Sequence, residues 1–319
     1  MKLPFVLTLV CAAAANFLPK QCSGWGCCAR CANTTIPLST DCAAPPVNAI
    51  RATLACRMVV YTALIGPYDD FEAFADKHAP QRAPGVCYVA VVDALRKRNY
   101  SYWLPAVVPR LFPREAARSA HALKSVPWQL FPRADWVLYI DAKTTLAVSA
   151  PAWVARLLQS NGRAALHVLR HPHGSVGTAR DGLVREFAAE RSWLIKRQRE
   201  HWKADVADLD AQQGRYCNSA PLCRIGDAVE TSLMVWSTAV MPRGVLRRLA
   251  CHWFHQIRTG SQREQSSLPY VVHALGASSY VHYVPHAHYR RYWGWLNHRS
   301  CNAHGRCTEL QDAAQKRKS

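Results

Sequence analysis

Apolar runs that stop abruptly at charged residues set the frame of this chain. Trp136-Val-Leu-Tyr-Ile140 ends at Asp141 and, two residues on, at Lys143. Its β-branched, aromatic and leucine content predicts a strand buried on both faces. Met58-Val-Val-Tyr-Thr-Ala-Leu-Ile65 ends in the same manner, at Gly66-Pro67-Tyr68-Asp69-Asp70. Cys87 to Val92, Ala164 to Leu169 and Ser232 to Trp236 are further short apolar strands, the last with Glu230 just before it. Helical spacing fills the intervals. Ala117, Ala120, His121, Lys124 and Trp128 share a period that Pro127 breaks, which predicts an interrupted helix leading into the Asp141 strand. Leu183, Phe187 and Leu194 mark a helix from Ala179 to about Lys203, with a second from Ala204 to Tyr216. Leu246, Leu249, Trp253 and Ile257 mark another, and an apolar helix toward Leu275 follows Ser261-Gln-Arg-Glu-Gln-Ser-Ser267. Strands alternating with helices predict an α/β domain with a Rossmann-type sheet and flanking helices.

The first 56 residues read differently. Met1 to Ala15 has one lysine and an apolar core ending in small residues, the pattern of a signal peptide or short signal-anchor, because it is shorter than the roughly 20 residues a spanning helix needs. Residues 16–56 are rich in Cys, Pro, Ala, Ser and Thr without periodicity, which predicts a disulfide-rich arm. The catalytic domain is expected over 57–285 and an aromatic, basic tail over 286–319. Of thirteen cysteines, removal of Cys11 with the signal leaves twelve, an even number suited to an oxidising compartment. Bridges are expected between Cys217 and Cys223 and between Cys301 and Cys307, with Cys22, Cys27, Cys28, Cys31, Cys42 and Cys56 paired among themselves. A zinc knuckle at Cys28-Ala-Arg-Cys31 lacks a second ligand pair. Asn33-Thr-Thr and Asn99-Tyr-Ser are glycosylation acceptors for a chain that enters the secretory pathway, in the Golgi or ER lumen or beyond the cell. The net charge of +19 admits nucleic acid, an acidic glycan or a phosphate-bearing donor as partner, and the secretory address argues against the first.

Open α/β sheets bind ligands beyond the carboxyl ends of their strands. A strand followed by Asp also makes many plain turns, so the two strand-end motifs count together rather than singly. Thr62, Gly66, Tyr68 and Asp69 at the end of the first strand, with Asp141 and Lys143 at the end of the other, outline a nucleotide-binding edge. His286 and His288 alternate beside aromatic residues in the tail, where packing explains them as well as metal or sugar binding does.

Taken in order, Val60-Tyr-Thr-Ala-Leu-Ile-Gly-Pro-Tyr-Asp-Asp70, Lys124 ahead of Leu130-Phe-Pro132, Tyr139-Ile-Asp-Ala-Lys143, Arg170-His171, Gln212-Gln-Gly-Arg-Tyr216, Glu230, Trp253-Phe254 and Arg263-Glu-Gln-Ser-Ser267 form a set. Over roughly Arg57 to Tyr280 that set resembles a glycosyltransferase-like domain family formerly of unknown function, whose plant members include the turgor-regulation-defect and mucilage-related proteins. The resemblance implies a GT-A-like fold and transfer of a sugar from a nucleotide-sugar donor to a glycan or glycoconjugate. The chain departs from the family in three places. Arg-Asp-Gln is Arg263-Glu264-Gln265, Trp-Phe-x-Glu is Trp253-Phe254-His-Gln256, and a paired Glu falls on Ala179 and Arg180, where Asp181 or Glu186 stands ready as a substitute.

Glycosyl transfer needs the departing pyrophosphate neutralised, the donor aligned and a base for the acceptor hydroxyl. Asp141, Lys143, Glu230 and Glu264 are the expected catalytic residues, the last two for acceptor binding or proton removal. Lys124, His171, Gln212, Tyr216, Arg263 and Gln265 are expected to bind donor or acceptor. Lys143 stands where a metal-dependent enzyme would carry a second carboxylate. Transfer without metal, or weakly assisted by manganese or magnesium, is therefore expected, and no residue is assigned as a metal ligand. The rival readings are a hydrolase of lipid amides, as some plant members' ceramidase label suggests, and a silent glycan-binding protein. Membrane contact is expected only through the short amino-terminal segment.

Overall fold

The computed structural model of the chain describes residues 55–66, 82–95, 100, 102–142, 144–171, 182–197, 202–218, 228–238, 240, 243–261, 263–285, 293–295, 299–301 and 307–309. The expected signal segment, most of the arm, the Asn33 and Asn99 acceptors, Tyr68, Asp69, Lys143, Cys223, His286 and His288 lie outside the described residues.

Met58–Leu64 (β1), Val86–Val92 (β2), Leu104–Val107 (β3) and Trp136–Ile140 (β4) form a parallel run in the order β3-β2-β1-β4. After a short strand, Thr144–Leu146 (β5), the sheet continues through Leu166–Arg170 (β6), Val229–Ser237 (β7) and Val281–Val284 (β8) to seven strands in the order β3-β2-β1-β4-β7-β6-β8. β7 alone is antiparallel to its neighbours β4 and β6. The α/β class and the Rossmann-type arrangement expected from the alternation are present. β1, β2 and β4 read as continuous apolar runs because each is covered on both faces.

One face packs on Ala116–Lys124 (α1), Pro127–Leu130 (α2) and two later helices, Arg243–Thr259 (α6) and Glu264–Ala274 (α7). Val59, Tyr61, Val137, Tyr139, Trp236 and Trp253 are buried between them. The opposite face buries Val60, Leu138, Ile140 and Val235 under Trp103 and under Trp153 and Leu157 of Ala150–Asn161 (α3). Gly182–Arg197 (α4) and Trp202–Asn218 (α5) pair with each other, joining Leu183, Phe187 and Tyr216 in a third cluster against Tyr270 of α7. The break between α1 and α2 falls where Pro127 predicts it. No helix among the described residues is long and apolar enough to cross a membrane.

Three elements differ from expectation. β3 carries Pro105, which reads as a strand breaker but is tolerated here because β3 is an edge strand with one ladder to fill. β7 starts at Val229, so Glu230 lies inside the strand rather than before it. The carboxyl-terminal region returns to the domain: Trp293–Trp295 (β9) pairs antiparallel with β5, Thr144 opposite Trp295, and Arg299–Cys301 (β10) pairs with Cys307–Glu309 (β11) with Cys301 opposite Cys307.

One expected pairing is corrected. Cys56 does not pair within the amino-terminal group but bridges to Cys87, with their Cα atoms 6.0 Å apart. β1 and β2 are parallel neighbours with Met58 opposite Val86, which brings the residues at their starts together across a 31-residue separation. Cysteine connectivity follows from strand neighbours, which cysteine spacing does not reveal. Cys217 is disulfide-bonded, and so is Cys251 of α6.

Candidate active site

β1 and β4 run parallel with Tyr61 opposite Tyr139, so both leave the sheet at one edge, β1 into Gly66 and β4 into Asp141. β6 is parallel to β4 through their common antiparallel neighbour, and its end, Arg170-His171, reaches the same edge. The turn after β1 is built for a glycine: φ is +79° at Gly66, and a Cβ there would lie 2.9 Å from Ala116 Cβ. The Gly66 amide donates to Asp93 Oδ2 at 3.1 Å, and Arg110 Nε donates to the same oxygen at 2.7 Å, fixing the turn to the end of β2.

Around Asp141 a compact charge cluster forms from four elements. Lys124, from the last turn of α1, places Nζ 3.0 Å from Asp141 Oδ1 and 2.6 Å from Glu264 Oε1. The Tyr139 hydroxyl donates to Asp141 Oδ1 at 2.6 Å, the Thr231 hydroxyl donates to Glu264 Oε1 at 2.5 Å, and His121 Nδ1 lies 3.0 Å from Glu264 Oε2. Lys124 and Glu264 are almost wholly buried, whereas the Asp141 side chain keeps 20% of its surface. Burial alone would lower the Lys124 pKa, but Asp141 and then Glu264 outweigh it and the net shift is upward. Burial alone would raise Glu264, yet His121 and Lys124 hold its carboxyl well below the usual range. Burial, then the Asp141 charge, raises Tyr139, so its phenol stays a proton donor to Asp141. Thr231 reaches Glu264 beside an irregularity in the ladder, where the register between β6 and β7 shifts after Val168; such bulges re-aim side chains near functional edges.

Next to this cluster, at the start of α7 and along α4, lies a second and looser one. Arg263 Nη2 is 3.5 Å from Glu186 Oε1, and His171 Nε2 is 3.8 Å from Glu186 Oε2. Gln265 Nε2 donates to Glu230 Oε2 at 3.4 Å, and the Ser232 amide donates to Glu230 Oε1 at 3.0 Å. The Ser261 hydroxyl donates to Glu190 Oε1, while Glu190 Oε2 and Arg263 Nε are buried with no hydrogen-bond partner among the described residues. Burial pushes the Glu190 carboxyl up to about 8, against the pull of Arg263 and the Ser261 hydroxyl. The Arg263 guanidinium lies over the Trp193 ring, 5.6 Å from its centroid, with 30% of the side chain exposed.

The expected residues thus fall into three groups. Asp141, Lys124 and Glu264 are in direct contact; Arg263 and His171 meet at Glu186, and Gln265 meets Glu230, whose charge acts on Arg263. Gln212 and Tyr216 do share a helix face, but a fully buried one: Gln212 Nε2 donates to the Tyr216 hydroxyl, which donates to Gln256 Oε1, and the Ser261 amide donates to Gln212 Oε1. They brace the loop carrying Arg263 from behind. That loop passes so close that a Cβ on Gly260 would sit 2.5 Å from Gln212 Nε2. Thr62 is fully buried within β1.

Tyr139, His121, Thr231, Ser261 and Glu190 were not singled out from sequence. For Glu190 a signal existed. Glu186 and Glu190 fall three and seven residues after Leu183, inside the stripe continued by Phe187 and Leu194, where apolar residues belong. Two carboxylates in a buried stripe mark a polar cluster on the facing element.

No family model matches the sequence, and no curated protein matches it. Among solved structures the chain is similar to the apo form of a bifunctional glycosyltransferase, WbbM, with a TM-score of 0.42 and 10% identity over 73% of this chain. It is also similar to apo mouse xyloside xylosyltransferase 1, with a TM-score of 0.39 and 10% identity over 72% of this chain and 84% of that one. Both neighbours are named as glycosyltransferases. This chain spans 39% of the length of WbbM.

Proposed function

We propose that this chain is a glycosyltransferase of the secretory pathway, moving a sugar from a nucleoside-diphosphate donor to a hydroxyl of a glycan or glycoconjugate, in the manner of the plant glycosyltransferase-like domain family whose motifs it resembles. The observation that carries the reading is Asp141: a part-exposed carboxylate at the carboxyl end of the strand beside β1, fixed by Tyr139 and Lys124. In the transfer, the bond from the sugar's anomeric carbon to the phosphate oxygen breaks, a bond to the acceptor oxygen forms, and the acceptor proton passes to a base. Nucleoside diphosphate leaves with the bonding electrons.

Charge decides which residues take which part. Lys124 is shared by Asp141 and Glu264, so that trio is net negative and cannot neutralise a pyrophosphate. Arg263 at the start of α7, part-exposed although it also faces Glu186, and Lys143, two residues beyond Asp141 in the sequence, are the cations we assign to it. A divalent ion fits the described residues poorly. Asp141 Oδ1 is engaged by an ammonium and a phenol, and among the described residues no three His, Cys, Asp or Glu side chains converge as ligands. No step is routed through a metal. Glu264, held ionised and enclosed by three partners, is better suited to orient Lys124 than to accept a proton. Glu230, whose Oε2 has a single long contact to Gln265, is the better candidate base.

A panel of nucleotide sugars tests this. Release of nucleoside diphosphate from one donor, lost in Asp141→Asn, is expected; glycan binding without turnover of any donor would leave the lectin reading in its place.

A further inference from the structure

The outward face of α6 gathers cationic side chains. Along this 17-residue helix every ionisable side chain is Arg or His, with no Asp or Glu. At 3.6 residues per turn, Arg247, Arg248, His252, His255 and Arg258 fall within one arc of about 140°. Leu246, Leu249, Trp253 and Ile257 on the other side are buried against the sheet. Arg247 and Arg248 are exposed, and among the described residues no carboxylate lies within ion-pair reach of either. Besides burial, His255 and Arg248 lower the pKa of His252, and Arg258 Nη2 donates to His255 Nδ1 at 3.2 Å, so the fixed positive charge of the arc is that of its arginines. Arg247 lies over the ring of Trp128, 5.3 Å from its centroid, so a half-buried aromatic borders the cationic arc.

We propose that the outward face of α6, bordered by Trp128, binds an anionic polysaccharide. The arc extends about 16 Å from Arg247 to Arg258 at the helical rise of 1.5 Å per residue, long enough to meet several charges of one extended chain. Two other polyanions fit less well. A helix that lies on anionic lipid presents large apolar residues beside its basic ones, and none of the exposed large hydrophobics belongs to α6. Nucleic acid is met in reducing compartments, whereas Cys56, Cys87, Cys217 and Cys251 are all disulfide-bonded. A row of guanidiniums on a helix that exposes no large apolar side chain suits a hydrophilic polyanion, which an acidic polysaccharide is. The proposal does not depend on transfer activity, and its readout is binding alone.

The experiment measures affinity of the full chain for heparin and for polygalacturonate by titration at two salt concentrations, with vesicles containing phosphatidylserine as the alternative surface. We expect one or both polysaccharides to bind, more weakly at the higher salt. Arg247→Glu/Arg248→Glu should bind about tenfold or more weakly, as charge reversal at a complementary surface does. Lys196→Glu/Arg163→Glu makes the same change in net charge at exposed positions elsewhere and should bind as the wild type does. An equal loss in both double variants would assign the effect to net charge and overturn the proposal. So would tighter binding to vesicles than to either polysaccharide, or no binding to either. Unchanged thermal unfolding of the α6 variant separates lost binding from lost fold.

Discussion

Two clusters of charge sit side by side at the carboxyl edge of the sheet, and they are built to different tolerances. In the first, Lys124, Asp141, Glu264, Tyr139 and Thr231 meet at 2.5 to 3.0 Å. In the second, Arg263 and His171 lie 3.5 and 3.8 Å from Glu186 and Gln265 lies 3.4 Å from Glu230; Ser261 and the Ser232 amide bond more closely to Glu190 and Glu230, yet among the described residues Glu190 Oε2 and Arg263 Nε have no hydrogen-bond partner although buried. Buried polar groups in native proteins are nearly always satisfied, so unsatisfied ones need a reason. The closed pair, Lys124 with Glu264, is a tie between α1 and α7, and Asp141, with 20% of its side chain exposed, is the member of the trio still open to a ligand. An open cluster with loose contacts is where a ligand's own polar atoms have bonds to make. Charge clustering alone does not distinguish a brace from a binding site; saturation does.

The sharpest break of this comparison removes the brace. We predict that Lys124→Ala destabilises the fold by about 3–5 kcal/mol, because buried Glu264 keeps only His121 as a basic partner and Asp141 loses its ammonium. Urea unfolding measures it, and a change under about 1 kcal/mol would make the trio functional rather than structural. In the open cluster the expectation is reversed. Arg263→Ala should lower donor turnover by roughly 10²-fold or more while shifting the urea midpoint far less than Lys124→Ala does. The same assay extends to Lys143: Lys143→Ala is expected to lose turnover on the same order, with chelator leaving the wild-type rate largely intact. Loss of activity on chelation, with Lys143→Ala unimpaired, would give the neutralising role to a metal.

What the sequence revealed of this edge follows from the range of each interaction. The Asp141 strand, its parallel partner β1 and the broken α1–α2 helix are local patterns, visible as period and punctuation. Lys124 and Glu264 were each picked out, but their bond spans 140 residues and no local pattern encodes it. The same limit hid Cys87 as the partner of Cys56, and His121 and Thr231 as partners of Glu264. β3 escaped because Pro105 argues against a strand unless its edge position is known, and β8 because Val281–Val284 is four residues long and sets His282 and Tyr283 between two buried valines, without alternation. Gln212 and Tyr216 show the converse failure: their shared face is correct, but which face a helix buries depends on its neighbours.

pH separates the clusters by sign. Glu190 has a folded pKa of about 8 against an ordinary 4.5. Between those values the folded chain holds a proton that the unfolded chain has lost, so this group's contribution to stability falls as pH rises across the window and is flat above it. Glu264 is depressed below 4.5, so its contribution is present above that pH and is lost as pH falls. We predict that Glu190→Gln flattens the decline in unfolding free energy between pH 5 and 8 while leaving the acid limb, to which Glu264 contributes, unchanged. Parallel curves for variant and wild type across that window would mean that Glu190 is already ionised, and that the second cluster is as saturated as the first.

The smallest effect tests the boundary between brace and site. Tyr139 donates to Asp141 Oδ1 from a ring packed under Lys124, whose Nζ is 4.8 Å from the ring centroid. Tyr139→Phe keeps the ring and removes only the hydroxyl. Asp141 is part-exposed, so water can replace the lost donor, and the stability change should be about 1 kcal/mol or less. The donor's fit should change more than the fold, because Asp141 would lose one of the bonds that fix its carboxylate. We therefore expect a several-fold rise in KM or fall in kcat at nearly wild-type stability, on the order of one lost orienting hydrogen bond. If stability falls by more than about 2 kcal/mol with kinetics intact, the hydroxyl belongs to the brace and Asp141 is positioned by Lys124 without help.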